Sequence, residues 1–492
     1  MKLLTKSLYL EGLQCYKLLW IRANSKESIP ELSTSAIQRF AIGTEIGLLA
    51  QKVFPEGVDA ESDNYSDSLL KTEEYTAMRK TMFEPSFEVD GLYSRADILV
   101  PVGESEWDIV EVKSGTRVKD VNVEDLAFQK YVYSKKGLNI RNCYLMHINN
   151  QYVKDGKIIP DKLFKQRNVN KKVKEIFPLV QKRAEEMKVI INSSKFPEVK
   201  IGEYCTSPYE CPLKNNCWEF LPQESVFDLY REKTRCFELL SEGITLLSEI
   251  PEKYDLGEKQ KIQREVATSK KDFVNKKEIE KYLKELKYPL YYLDFETINP
   301  AIPLFDGMKP YERVGFQYSL HIQDKPNGEL KHISFLAEGK DDPRKNFLES
   351  LKENLGNSGN ILVFNESFEK GVLCEHVENF SEFNEWLETI LPRIKDLIIP
   401  FRNFHFYSKL QKGSCSIKNI LPVFDDNLNY KELEIGKGDL ASIEFERVTY
   451  GDDVKPSEVK RVRDALLKYC ELDTLAEVKI VEGLQKKVDE SN

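Results

Sequence analysis

The order of apolar and polar positions divides the chain into two α/β stretches separated by a charged, helix-like one. Near the start, residues 35–54 (SAIQRFAIGTEIGLLAQKVF) repeat apolar positions at helical spacing, and Ser33, Thr34 and Ser35 offer N-caps. Strand-like runs follow at 92–102 (LYSRADILVPV), 107–115 (WDIVEVKSG) and 142–148 (NCYLMHI). Between the last two, VEDLAFQKYVYSKK has the pattern of an amphipathic helix. Strand, strand, helix, strand predicts an α/β core within residues 1–222. Residues 223–287 are rich in Glu and Lys, read as helical with interruptions at Pro251 and Gly257, and have the character of a connector. A second α/β pattern over 288–492 opens with YPLYYLDFET and closes with the helical RVRDALLKYCELDTLAEVKIVEGL. A chain of 492 residues exceeds what one hydrophobic core usually supports, in keeping with this division.

Composition changes the picture little. Apolar residues at 41% and charged residues at 31% describe an ordinary globular protein. No run of about 18 apolar residues occurs, so no membrane span is expected. The opening MKLLTKSLYLEGLQC lacks a long apolar run and a small-residue cleavage site, so a cytoplasmic location is expected. The net charge of -9 does not argue against a polyanionic partner, because nucleic-acid binding depends on local basic patches. Carboxylates that hold metals also carry negative charge that the ions neutralise.

The chemistry concentrates in three places. Asp97 follows Arg95, and Glu111-Val112-Lys113 comes about one strand later. Residues two apart on a strand share a face, so Glu111 and Lys113 project together while Val112 turns to the core. If Asp97 lies on that face of a neighbouring strand, two carboxylates and an ammonium converge, a set suited to Mg²⁺. Such an ion lowers the pKa of a bound water and neutralises a scissile phosphate, and Lys113 would orient the water or stabilise the transition state. A lone ExK is common on solvated strands. The helix behind it adds weight, because Gln129 and Tyr133 at i, i+4 share one of its faces.

D…ExK followed by QxxxY resembles the RecB-like branch of the PD-(D/E)xK nucleases, which includes CRISPR-adaptation nucleases and AddB-type helicase-nucleases. The resemblance covers residues 10–220. It implies a restriction-endonuclease-like fold, Mg²⁺ or Mn²⁺ held by Asp97 and Glu111, and Lys113, Gln129 and Tyr133 as catalytic residues. Many of these nucleases carry GxxxH on an early helix. Here the segment is Gly43-Thr44-Glu45-Ile46-Gly47, and no histidine precedes His147. Either Glu45 replaces that ligand, or the site has one protein ligand fewer and Glu45 is a helix-surface acid.

Three of the nine cysteines, Cys205, Cys211 and Cys217, recur evenly in YCTSPYECPLKNNCW, and Cys15 lies far upstream in LQCYKLLW, expected on the first helix. Clustered thiols in a reducing compartment suggest a metal or cluster site. One early cysteine and three after the nuclease core is the arrangement of RecB-like families with an iron–sulfur cluster, which implies that the four hold a structural 4Fe–4S cluster. The two five-residue gaps fit poorly with the short CxxC knuckles of structural zinc. Zinc, or buried cysteines with no common ligand, are the other readings.

In LYYLDFET, Asp294 and Glu296 sit two apart at the end of an apolar strand, where two charges are costly unless a cation pairs them. NILVFNESFEKGVL then gives a second apolar strand followed by Asn365 and Glu369, and Tyr469 and Asp473 are i, i+4 neighbours in the last helix. These blocks, in order, resemble the DEDD exonucleases of RNase H-like, DnaQ-type fold, in the branch whose third motif is YxxxD. That resemblance implies two metals held by Asp294, Glu296, Glu369 and Asp473, with Tyr469 positioning the attacking water. The family's usual second-motif aspartate is here Glu369, one methylene longer. Asp396 in RIKDLIIPF reads either as a further site residue or, more commonly for such a position, as an ordinary strand-edge acid.

Taken whole, the chain resembles an uncharacterised bacterial family that fuses a RecB-like nuclease to a DEDD exonuclease. The basic stretch 162–177 (KLFKQRNVNKKVKEIF) either tracks a nucleic-acid backbone or forms a solvated helix face. Tyr131, Phe316 and Tyr318 read as core rather than as base-stacking platforms. The expectation is a metal-dependent exonuclease acting on DNA at two sites. A nucleic-acid-binding module with one or both sites degenerate, and an RNA-processing 3′–5′ exonuclease, are the alternatives.

Overall fold

The computed structural model describes residues 2–490. The chain forms two compact units: the first runs to Phe220 and takes in Ala301–Tyr311, and the second comprises Leu221–Pro300 and the chain from Glu312 onward. Residues 223–287, expected as a connector, fall inside the second unit. Both units mix helices with sheets. No helix among the described residues is long and apolar enough to cross a membrane.

The strands of the first unit are β1 (Leu4–Thr5), β2 (Val58–Asp59), β3 (Met82–Phe83), β4 (Ser86–Val89), β5 (Leu92–Arg95), β6 (Ile98–Val102), β7 (Glu106–Lys113), β8 (Asn139–Ile148) and β9 (Phe164–Asn168). They form a six-stranded sheet in the order β2-β3-β6-β7-β8-β9 and a three-stranded sheet β1-β5-β4. β6 and β7 are antiparallel, whereas β7 and β8 are parallel and joined by the helix Asp120–Lys135, as a parallel pair requires.

Two expectations change here. The run 92–102 is two strands in different sheets, with Ala96 and Asp97 at the break. The Tyr133 hydroxyl satisfies the backbone around that break: it accepts from the Ala96 N–H (2.9 Å) and donates to the Pro85 carbonyl (2.7 Å). The helix Asp120–Lys135 is not amphipathic but buried on most sides, because helices Lys6–Gln14 and Asn170–Asn192 pack on it as well as β5 and β8.

Ala301, Ile302 and Tyr311 complete an apolar cluster with Ile46, Ala50, Val110 and Met146. Lys154 anchors the same segment by donating to Asp306 at 2.6 Å. The basic run 162–177 splits between the edge strand β9 and the start of the helix Asn170–Asn192. Within it Lys162, Arg167, Lys171, Lys172 and Lys174 are exposed.

The second unit contains β10 (Phe273–Val274), β11 (Leu290–Ile298), β12 (Val314–Gln323), β13 (Leu330–Leu336), β14 (Asn360–Val363), β15 (Ile394–Asp396) and β16 (Phe406–Tyr407). β10 pairs with β16; the others form a five-stranded sheet, β13-β12-β11-β14-β15. β12 is antiparallel to both of its neighbours, β13 and β11, and β11, β14 and β15 run parallel. The central strand β11 is apolar along nearly its whole length because both its faces are covered. Tyr291, Leu293 and Phe295 enter one cluster; Leu290 and Tyr292 enter the other, with Val478, Ile480 and Leu484 of the helix Pro456–Asp489. By strand alternation, Asp294 and Glu296 share the second face. Tyr131, Phe316 and Tyr318 are buried, Phe316 stacked on Phe445 and Tyr131 edge-on to Phe177.

Candidate metal and catalytic sites

In the first unit, the β6–β7 register places Ile98 opposite Val110, which brings Asp97 beside Glu111. The Val112 N–H donates to Asp97 Oδ2 at 2.5 Å. Lys113 Nζ donates to Glu111 Oε1 at 2.6 Å and to Asp125 Oδ2 at 3.0 Å, so it bridges two buried acids. Gln129 Nε2 spans the same pair, reaching Glu111 Oε2 at 2.7 Å and Asp125 Oδ1 at 2.8 Å. Lys6 Nζ completes the group at 3.0 Å from Glu111 Oε1 and 3.6 Å from Asp125 Oδ1.

The electrostatics follow from this pairing. Burial pushes the Glu111 carboxyl upward, but Lys113 and Lys6 overcome it and hold the group well below the usual carboxylate range. Burial, reinforced by the Glu111 charge, raises Asp97 to about 6. Asp125 is raised by the same two causes. Burial opposes the charge on Lys113 and Lys6, yet the surrounding acids keep both firmly protonated.

Asp97, Glu111, Lys113 and Gln129 therefore lie together. Tyr133 does not reach the acids; its hydroxyl is occupied at the chain break preceding Asp97. Glu45 is an exposed residue of the helix Thr34–Gln51, where Ile46 and Ala50 make the buried contacts. Sequence reasoning missed Asp125 and Lys6. Asp125, Gln129 and Tyr133 form an i, i+4, i+8 series that was open to inspection. Lys6 arrives only through the packing of its helix against Asp120–Lys135.

Cys15 lies not on a helix but at the junction of Lys6–Gln14 and Tyr16–Asn24, ending one and capping the next. Cys205, Cys211 and Cys217 come to the same place: Cys15 interacts electrostatically with Cys205 and Cys217, and Cys211 with all three others. Gln14 Nε2 holds the loop there by donating to the carbonyls of Tyr204 (2.7 Å) and Tyr209 (2.8 Å), and the Cys211 N–H donates to the Cys205 carbonyl at 2.9 Å. Burial raises the Cys15 thiol and lifts that of Cys211 to about 11.

In the second unit, one ligand atom from each of Asp294, Glu296 and Asp473 lies within 4.8 Å of the others. A register shift in β11 after Glu296 marks the end of the regular ladder, an irregularity that re-aims side chains. Tyr430 donates to Asp473 Oδ1 at 2.6 Å. Lys418 Nζ donates to the Tyr469 hydroxyl at 3.1 Å, so that hydroxyl is tied to an ammonium beside the acids. Glu369 interacts with Asp294 from the helix Glu366–Asn379, and one of its oxygens, Oε2, is buried without a hydrogen-bond partner. Asn365, at φ 95°, opens that helix, and Asp396 fixes the turn by accepting from the N–H groups of Asn365 and Ile398, each at 3.0 Å. Asp396 thus fixes the turn from which the helix carrying Glu369 starts.

One further acid was overlooked. Glu477 follows Asp473 by four residues on the same helix face, is fully buried, and both its carboxylate oxygens lack a partner. Burial and the mutual repulsion of these acids push Asp294, Glu296 and Glu477 well above the usual range. Burial raises Glu369 to about 8, and raises Asp473 to about 6 against the opposing influence of Tyr430 and Lys418. Buried carboxyls so arranged stay protonated or take up a cation, and an all-oxygen donor set suits a hard ion such as Mg²⁺ or Mn²⁺.

Residues 291–416 match a family described as a domain of unknown function, DUF2779. The match includes Asp294, Glu296 and Glu369 and ends before Lys418, Tyr469 and Asp473. The chain is also similar to the uncharacterized protein MG366 of Mycoplasma genitalium, 28% identical over 246 residues, or 46% of this chain and 37% of the relative. A homologue of MG366 in Mycoplasma pneumoniae is 27% identical over 214 residues (40% of this chain, 32% of that protein). The uncharacterized protein UU173 of Ureaplasma parvum is 27% identical over 232 residues (42% and 33%). The chain thus spans about a third of the length of the curated relatives it matches.

Proposed function

We propose that the chain is a metal-dependent nuclease that hydrolyses phosphodiester bonds in DNA, with an exonucleolytic DEDD-type site in the second unit and a RecB-like site in the first. The observation that carries this reading is the convergence of Asp294, Glu296 and Asp473 within 4.8 Å of one another, from a strand and a helix far apart in sequence. Glu369 and Glu477 supply further buried oxygens with unused bonding capacity, a donor set that fits Mg²⁺ or Mn²⁺. When bound, such ions generate a hydroxide nucleophile and neutralise charge on the attacked phosphate. Lys418 holds the Tyr469 hydroxyl at the edge of the acids, where it positions a water, and Tyr430 fixes the rotamer of Asp473.

At the first site, Lys113 and Gln129 hold Glu111 and Asp125 in one geometry, and Asp97 and Glu111 are the ligands for a metal. Tyr133 acts as a positioning residue for Asp97. Glu45 has no part in this reading. The four gathered cysteines hold a structural 4Fe–4S cluster. In support, the four come to one place, Cys15 interacting electrostatically with Cys205 and Cys217, and Cys211 with the other three. The reading carries a cytoplasmic location and nucleic acid as partner.

The test is cleavage of end-labelled single- and double-stranded DNA and RNA with Mn²⁺ by the wild type, Lys113→Ala and Asp294→Ala. Loss of all activity in one variant alone assigns it to that site. No cleavage of any substrate by the wild type replaces the nuclease reading with a binding module. Protein purified without oxygen should carry iron; a colourless, iron-free preparation defeats the cluster.

A further inference from the structure

Two of the five histidines of the chain stand directly opposite each other on neighbouring strands, His321 on β12 and His332 on the edge strand β13. Their rings stack at 4.5 Å between centroids. Glu471 of the helix Pro456–Asp489 joins them, its Oε1 at 3.7 Å from His332 Nδ1, and one ligand atom from each of the three lies within 4.8 Å of the others. His321 is buried, whereas His332 and Glu471 reach solvent.

The free ring nitrogens are assigned from the hydrogen-bond network, with Thr474 taken as donor to the Glu471 carbonyl. Thr474 Oγ1 donates to the Glu471 carbonyl at 3.2 Å, so its proton is spent. The 2.8 Å contact between His321 Nδ1 and Thr474 Oγ1 is then a bond donated by the imidazole. Ser319 Oγ lies 2.7 Å from Thr474 Oγ1 and donates to it, which leaves Ser319 to accept from His332 Nε2 at 2.9 Å. Every hydroxyl donates once and each ring donates from one nitrogen. His321 Nε2 and His332 Nδ1 remain as lone-pair donors. A ring whose far nitrogen is pinned by a hydrogen bond is the arrangement that orients a ligating histidine.

We infer that His321, His332 and Glu471 form a binding site for Zn²⁺ or a similar borderline ion, separate from the carboxylate site. Two imidazoles and one carboxylate are a zinc donor set, and three protein ligands leave a fourth position to water on the exposed side. The ion would fasten the edge strand β13 to the helix that carries Tyr469 and Asp473.

The test is a Zn²⁺ titration of the full chain in excess Mg²⁺, read by competition with a chromophoric chelator. It compares the wild type with His332→Ala and Glu471→Gln, whose side chains are 28% and 48% exposed. The wild type should bind one more equivalent than either variant, and Zn²⁺ should raise its melting temperature further. Ser319→Ala, which frees His332 Nε2 without removing a ligand, should weaken that equivalent by about 10- to 100-fold. Zinc taken up by the cysteines is common to all four proteins and cancels. Equal stoichiometry and affinity in the wild type and His332→Ala would overturn the site.

Discussion

In the first unit, Glu111 and Asp125 share Lys113 and Lys6, and every oxygen of Glu111 accepts a hydrogen bond from a lysine or Gln129. In the second, Asp294, Glu296 and Asp473 crowd together with Lys418 at their margin, while Glu477 and one oxygen of Glu369 have no hydrogen-bond partner. Both clusters bury acids, and burial alone would raise every one of them. In the first cluster ammonium groups supplied by the chain reverse that trend for Glu111; in the second the trend stands. The difference teaches where a cation is needed for integrity. The first cluster is held by its own charges, whereas the second is relieved only by protons or by metal.

The contrast is broken or sharpened most strongly at Asp294. Asp294→Asn should lower metal-dependent release of nucleotides from 3′ ends about a thousandfold, some 4 kcal/mol of transition-state stabilisation. The same change should raise the melting temperature of the metal-free protein, because it removes a repelling charge. A variant that melts lower than wild type without metal would contradict the account of the second cluster.

Lys113→Ala should do the reverse. It leaves Glu111 and Asp125 with Lys6 and should destabilise the protein by about 3 kcal/mol in urea unfolding, with or without Mg²⁺. A silent substitution would mean that the first cluster does not depend on its own cations.

The pH dependence runs in opposite directions in the two places. Glu369 titrates at about 8 when folded and near 4.3 in an unfolded chain. Its stabilisation is therefore complete below about pH 4.3 and is lost as pH rises through about 8. Glu111, lowered on folding, stabilises above its unfolded value near 4.3 and loses that contribution as pH falls. Glu369→Gln should make the metal-free protein about 2 kcal/mol more stable at pH 8 and flatten the decline between pH 5 and 8 in thermal melts. Saturating Mg²⁺ should flatten it in the wild type as well.

The smallest effect belongs to Tyr133→Phe. Loss of the hydroxyl leaves the Ala96 N–H and Pro85 carbonyl only their long 3.3 Å bond to each other and should cost about 1 kcal/mol, measured by chemical denaturation. Asp97 would lose register with Val112 while the Lys113 bridge survives.

What could be read from the residues follows how local each signal is. Asp294, Glu296 and Asp473 were legible because period-2 alternation and i, i+4 spacing fix which face a side chain takes. Glu477 and Asp125 obey the same spacing but stand outside the motifs, so only their helix face marks them. Lys6, Lys418 and Tyr430 carry no such signature, since tertiary packing alone brings them to the acids. The break at Ala96 and Asp97 was hidden as well: the run 92–102 keeps strand composition throughout, and the hydroxyl that supports the break lies on a distant helix. Cys205, Cys211 and Cys217 could be grouped from their spacing and Cys15 joined to them by the resemblance, but the position of Cys15 between two helices could not be read.

The segment Ala301–Tyr311 has a bearing on biosynthesis. Its Tyr311 donates to the carbonyl of Ser114, next to Lys113, and its Ala301 and Ile302 close an apolar cluster begun by residues of the first unit. A ribosome has therefore made β11, with Asp294 and Glu296, before the amino-terminal body can acquire its last piece. A fragment cut at residue 220 would leave Ile46 and Met146 short of neighbours and should be prone to aggregate, so the two units cannot be separated by simple truncation.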